Sequence, residues 1–297
     1  EALYSNTTAD SNTALGYSAM KLNTTGGANT AVGAFALDSN TTGYANVAIG
    51  CDALQSNTEG FSNTVVGTDA LEDNTTGDLN VAIGKSALGS NITGDQNTAV
   101  GSCALKANTT ADNNTAIGFS SLKCNTTGAC NTAIGVQALD ASTTANQNTA
   151  IGMLSMTATT SGIRNTAVGR QSMCANTTGC CNVAMGSNAL ASGTTGDFNV
   201  AVGGAALGSV NTGNCNTAIG ACAMNTNTSG ANNTAVGKSA LLANTTGTQN
   251  VAIGTLALDA NTSGNELTAM GYNSLGANTT GCYNVAVGDN ALAANTT

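Results

Sequence analysis

A glycine recurs every 17 residues along this 297-residue chain, from Gly16, Gly33, Gly50 and Gly67 to Gly288, without an insertion or deletion across seventeen copies. A fixed short period that never slips marks a solenoid, in which each repeat stacks only on its neighbours. Length alone would suggest two ordinary domains, but the period overrides that prior.

The repeat is written in slots, with Asn29 as slot one and Ala45 as slot seventeen. Slots one to five read Asn29-Thr30-Ala31-Val32-Gly33, slots eight and nine Ala36-Leu37, and slots twelve to fifteen Asn40-Thr41-Thr42-Gly43. Such density of Gly, Asn and Thr disfavours helix, and 17 residues are too few for a helix pair. The pattern therefore predicts an all-β chain, a β-solenoid (parallel β-helix or β-roll) of about 17 coils, one 17-residue repeat per coil. It forms one continuous solenoid over residues 1–297 in this reading, with strands at slots two to four and about seven to ten. Both ends fall mid-repeat, at Glu1 and Thr297, so the expectation is an excerpt from a longer array. The total absence of proline agrees with strands paired on both sides.

Large apolar residues recur at slot four (Val, Ile, Leu or Met) and slot nine (Leu or Met), and both are expected to point inward with the Thr or Val of slot two. Alternation along a strand would turn slot three outward. That slot is Ala in every copy except Val65, and slot eight is always Ala or Ser. This small-residue face is expected to pack laterally against other chains, or against a second layer of the same roll. Slot five is Gly throughout, and slot fifteen is Gly except at Ala9, Ala111 and Ala145, so both are read as corners needing left-handed backbone or close approach. Slot one is Asn except at Leu267 and is read as a structural ladder.

The run "NVAIGCDA" from Asn46 resembles the repeats of trimeric autotransporter adhesin heads, and the "NTTG…NTAIG" arrangement is similar to repeat regions in tail fibres of phages and large viruses. The resemblance spans the whole chain and implies a left-handed parallel β-roll, often three chains together, in an extracellular attachment fibre. The repeat here is longer than in adhesin heads because the "NTTG" corner adds residues.

Slots twelve to fourteen spell Asn-x-Ser/Thr, the N-glycan acceptor, at Asn6, Asn23, Asn40, Asn74, Asn91, Asn108, Asn125, Asn176, Asn227, Asn244, Asn261, Asn278 and Asn295. Weaker candidates stand at slot seventeen, Asn113 and Asn232. An Asn-Thr-Thr-Gly corner is also a good turn. Where slot twelve has lost its Asn (Ser142, Thr159, Gly193, Val210), slot fourteen keeps a hydroxyl at Thr144, Ser161, Thr195 and Thr212. Tolerance of Gly and Val at slot twelve argues that this slot faces solvent and suits a glycan.

Composition points away from other functions. No His is present, and the 16 acidic residues scatter over variable slots, so neither an enzyme nor a metal or other cofactor is expected. Net charge of −9 disfavours nucleic acid, and no apolar run suggests membrane insertion. Ten cysteines lie in variable slots; Cys124 with Cys130, and Cys174 with Cys180, each flank a corner six residues apart and are disulfide candidates. The resulting expectation is a structural extracellular fibre that displays N-linked glycans and self-associates, laterally (as a homotrimer, for instance) or end to end. The alternative is the shaft or head of an adhesin or virus tail fibre that binds a host surface.

Overall fold

The computed structural model describes every residue except 210 and 211; Val210, one of the four slot-twelve substitutions, lies outside the described residues. The chain is an all-β solenoid whose coils follow the 17-residue period. It divides into two compact units, Glu1–Asn148 and Thr149–Thr297. In the first unit, three-residue strands at slots two to four run from Thr13–Leu15 to Thr132–Ile134; in the second, from Thr149–Ile151 to Val285–Val287. Within each unit consecutive strands pair parallel and in slot register, as where Thr30, Ala31 and Val32 face Val47, Ala48 and Ile49.

Among the described residues each coil has one strand, not two. Slots six to eleven form turns. The reason is backbone sign: slots seven and nine take positive φ without glycine, as at Phe35 (57°) and Leu37 (55°). That breaks strand alternation while keeping coil-to-coil hydrogen bonds. Phe35 N–H donates to Tyr17 O at 2.8 Å, and Leu37 N–H to Ala53 O at 3.0 Å. A third left-handed residue stands at slot seventeen, as at Ala45.

The expected facing of the strand is reversed. Slot three is the inward residue: Ala31, Ala48, Val65 and Ala99 are fully buried, as are slot eight (Ala36, Ala53) and slot nine (Leu37, Leu54). Slots two and four look out, and Ile49 is 40% exposed. The interior is too thin for two large residues facing each other. Where slot eight is Ser155, its hydroxyl reaches the carbonyl of slot-three Ala167 at 3.4 Å. A Leu or Met from slot nine fills the middle, and only small residues fit around it. The small-residue face, expected to pack against other chains or a second layer of the roll, is thus packed within the chain as the solenoid's own core.

Glycine at slot five is demanded by conformation: Gly33 has φ of 143°, and a Cβ there would run into the carbonyl of Gly50 in the next coil. Slot fifteen is different. Its glycines are absent from the positive-φ residues, and their constraint is close approach, since a Cβ at Gly43 would meet Asn40 Oδ1 and the Gly60 carbonyl.

Candidate functional surface

Two asparagine ladders lie inside the coil and meet at one corner. At slot one, Asn29 Oδ1 accepts the Asn46 backbone N–H at 2.9 Å, while Asn29 Nδ2 donates to Gly43 O at 2.9 Å. The structural reading of slot one holds. At slot twelve, Asn40 Nδ2 donates to the same Gly43 carbonyl at 2.9 Å and to Asn23 Oδ1 at 2.7 Å. Leu267 interrupts the first ladder; its backbone N–H still donates to Asn250 Oδ1 at 3.0 Å.

This geometry overturns the expectation that slot twelve faces solvent. Asn23, Asn40, Asn74, Asn91, Asn108, Asn125, Asn227, Asn244, Asn261 and Asn278 are fully buried, and Asn176 is 2% exposed. Their Nδ2 atoms, which would carry a glycan, are occupied by protein acceptors. A sugar there would break the ladder and find no room. Asn57 makes the point independently. It lacks an acceptor pattern because Glu59 follows, yet its Nδ2 bonds Asn40 Oδ1 at 2.8 Å and Gly60 O at 3.0 Å. The substituted positions Ser142, Thr159 and Gly193 are buried too, so tolerance there reflected small size rather than exposure.

Terminal coils differ in degree: Asn6 and Asn295 are half-buried. The exposed acceptors are the two slot-seventeen residues, Asn113 and Asn232, both left-handed (59° and 60°) and facing solvent. In each the Asn-Asn-Thr acceptor starts outside the coil, and its second Asn enters the slot-one ladder: Asn114 and Asn233 donate backbone N–H to Asn97 and Asn216.

Threonines at slots thirteen and fourteen are distinct. Slot thirteen spans coils through its hydroxyl, Thr41 Oγ1 donating to Thr58 O at 3.0 Å and Thr75 Oγ1 to Ile92 O at 3.1 Å. Slot fourteen is exposed in every coil.

No protein-family model and no curated protein matches the chain.

All ten cysteines are free thiols. Cys174 Sγ lies 3.4 Å from Ala191 O and Cys180 Sγ 3.3 Å from Thr178 O, so that disulfide candidate is unformed, as is Cys124 with Cys130. Among the described residues no group of three or more metal-ligating side chains assembles, and no helix is long and apolar enough to cross a membrane. Some of the acidic residues, expected to scatter over variable slots, line up along the coils. Asp78, Asp95 and Asp112 share slot sixteen, and each accepts a backbone N–H from the preceding coil at 2.8 Å. Asn146 does the same for Ala129 at 2.7 Å. Desolvation raises the Asp78 carboxyl above its usual range, the Phe61 N–H opposes that, and Asp95 adds to the rise. Aromatic residues from different coils also meet: Tyr44 stacks on Phe61 at 4.9 Å, and Tyr17 packs edge-on to Phe35 at 5.3 Å.

Proposed function

We propose that the chain is a structural segment of an extracellular fibre, a rigid repeat scaffold whose copies associate side by side through the slot-two and slot-four face. The observation that carries this reading is an anomaly in that face. Parallel sheets are ordinarily covered on both sides, yet here Thr30, Val32, Val47, Ile49, Val81 and Ile83 stand at least partly open to solvent. No charged residue occurs at slot two or slot four in any coil. Extended apolar surface of this kind marks an interaction site, and a periodic face is complementary to another periodic face. N-linked sugar, where the fibre carries it, belongs on Asn113 and Asn232, which are open to solvent.

The test is electron microscopy and light scattering of the purified chain beside an Ile49→Lys/Ile83→Lys variant. Lateral bundles that the charged variant disperses, with its unfolding midpoint unchanged, support the reading. A chain that stays single at all concentrations contradicts it. A second reading, the shaft of an adhesin or virus tail fibre engaging a host surface, draws on the Tyr44–Phe61 stack, with Tyr44 half exposed. Binding to host glycan or protein that is lost in Tyr44→Ala favours this second reading.

A further inference from the structure

We propose that the outward hydroxyl of slot fourteen is a site of O-linked glycosylation. Slot fourteen is Thr or Ser in every coil except at Glu59, from Thr8 to Thr297, and every one of these residues is exposed. Thr and Ser differ in branching and backbone preference; what they share is the hydroxyl. Inside the fold that hydroxyl has no task. Slot-thirteen side chains bond across coils, as Thr24, Thr41 and Thr75 do, whereas no slot-fourteen side chain bonds to any described residue.

The chain holds its own control. Where Glu59 replaces the hydroxyl, the corner is unchanged: Glu59 N–H donates to Thr75 O at 3.2 Å and Gly60 N–H at 3.4 Å, against 3.1 Å and 3.3 Å for Thr42 and Gly43 onto Thr58 O. The fold therefore does not require a hydroxyl there. Nor does the Asn-x-Thr pattern, because the hydroxyl persists as Thr144, Ser161 and Thr195 where slot twelve is Ser142, Thr159 and Gly193. A group that recurs, faces out and serves nothing within the molecule is placed for chemistry from outside.

Sugar suits this column better than phosphate. Coils are about 4.8 Å apart, so phosphorylation would line dianions at well under a Debye length on a chain already at −9. A neutral sugar carries no such repulsion. In the step itself, the Thr or Ser Oγ attacks C1 of an activated sugar, a nucleotide- or lipid-linked glycosyl phosphate supplied by a transferase. The Oγ–C1 bond forms, the C1–O bond breaks with its electron pair leaving on the phosphate, and the hydroxyl proton passes to the transferase's base.

The proposal is independent of the lateral-association reading, and either can fail alone. Its test uses the chain isolated from the cells that make it. Intact mass is compared with the bare 28.9 kDa, then sites are mapped by alkaline β-elimination, which tags O-linked Ser and Thr and leaves Asn-linked sugar in place. Tags at Thr42, Thr76 and Thr178, absent from Thr41, Thr75 and Thr177, are the expected result. Two variants made in the same cells separate chemistry from folding. Thr76→Val loses its tag at an unchanged unfolding midpoint, while Thr75→Val lowers the midpoint and leaves Thr76 tagged. Unmodified slot-fourteen hydroxyls, phosphate increments, or sugar spread equally over slots thirteen and fourteen would overturn the proposal.

Discussion

Asn40 Nδ2 lies 2.7 Å from Oδ1 of Asn23, one coil earlier, and this contact turns an apparent glycan acceptor into a structural ladder. The same nitrogen holds the corner closed through Gly43 O. Asn40→Ala removes both bonds, leaves Asn23 Oδ1 without that donor, and takes one of the two acceptors from Asn57 Nδ2. Unsatisfied buried groups cost about 1–3 kcal/mol each, so a loss of about 3 kcal/mol is expected from urea titration of the variant.

The converse substitution lies where the ladder stops. Asn125 Oδ1 is buried without a donor, and so is the hydroxyl oxygen of Ser142 in the next coil. Ser142→Asn supplies an amide at that point and is expected to stabilise the chain by about 1 kcal/mol. A midpoint that falls instead would mean that the extra atoms do not fit.

Facing of the strand makes a paired prediction. Ala99→Leu overfills a fully buried slot-three site and is expected to cost about 1–3 kcal/mol. Ile83→Thr, on the exposed slot four, is expected to shift stability by less than about 1 kcal/mol. The opposite ranking, read from thermal or denaturant midpoints, would restore the inward-facing slot four.

Two glycines of one coil should respond differently to alanine. Gly33→Ala meets both a forbidden φ of 143° and a backbone carbonyl, so a loss of about 4 kcal/mol or more is expected. Gly43→Ala is expected to be milder, because the equivalent corner carries Ala111 and Ala145 naturally. Circular dichroism melts of both variants make the comparison.

Stability should rise on mild acidification. Burial is the leading cause in raising the carboxyls of Asp38, Glu72, Asp78, Asp140 and Asp259. Glu72 is pushed further by Asp69 and Asp73. A carboxyl raised on folding binds its proton more tightly in the native state. Its charged form destabilises the fold above the folded pKa, and that penalty is relieved as pH falls toward the ordinary carboxylate range near 4. The urea midpoint is therefore expected to be higher at about pH 4.5 than at pH 7. A steady fall over that interval would contradict these directions.

Much of the fold was legible in the residues. The unbroken spacing from Gly16 to Gly288 specifies the coil, the Leu and Met of slot nine mark its core, and the Asn of slot one marks its ladder. What misled was the choice of face. Strand alternation sets Ala31 opposite Thr30 and Val32 but does not say which side is inside, and side-chain size argued for Val32. The missing quantity was interior width, which only the closed coil supplies. The second expected strand failed because Phe35 and Leu37 adopt left-handed backbone that neither residue type advertises. The site suffered from the same gap. Gly193 at slot twelve suggested exposure, while Asn57, an Asn kept without its acceptor pattern, was the signal for a ladder. The slot-sixteen run Asp78, Asp95 and Asp112 was visible as well, but its backbone partners emerge only when coils stack.

Side-chain amide exchange, followed by NMR on the folded chain with Asn-selective labelling, tests the inward asparagine most directly. The Nδ2 protons of Asn40, Asn74 and Asn91 are predicted to be strongly protected, and those of Asn113 and Asn232 to exchange at the rate of free asparagine. Rapid exchange at Asn40, Asn74 and Asn91 would contradict the ladder and return slot twelve to the surface.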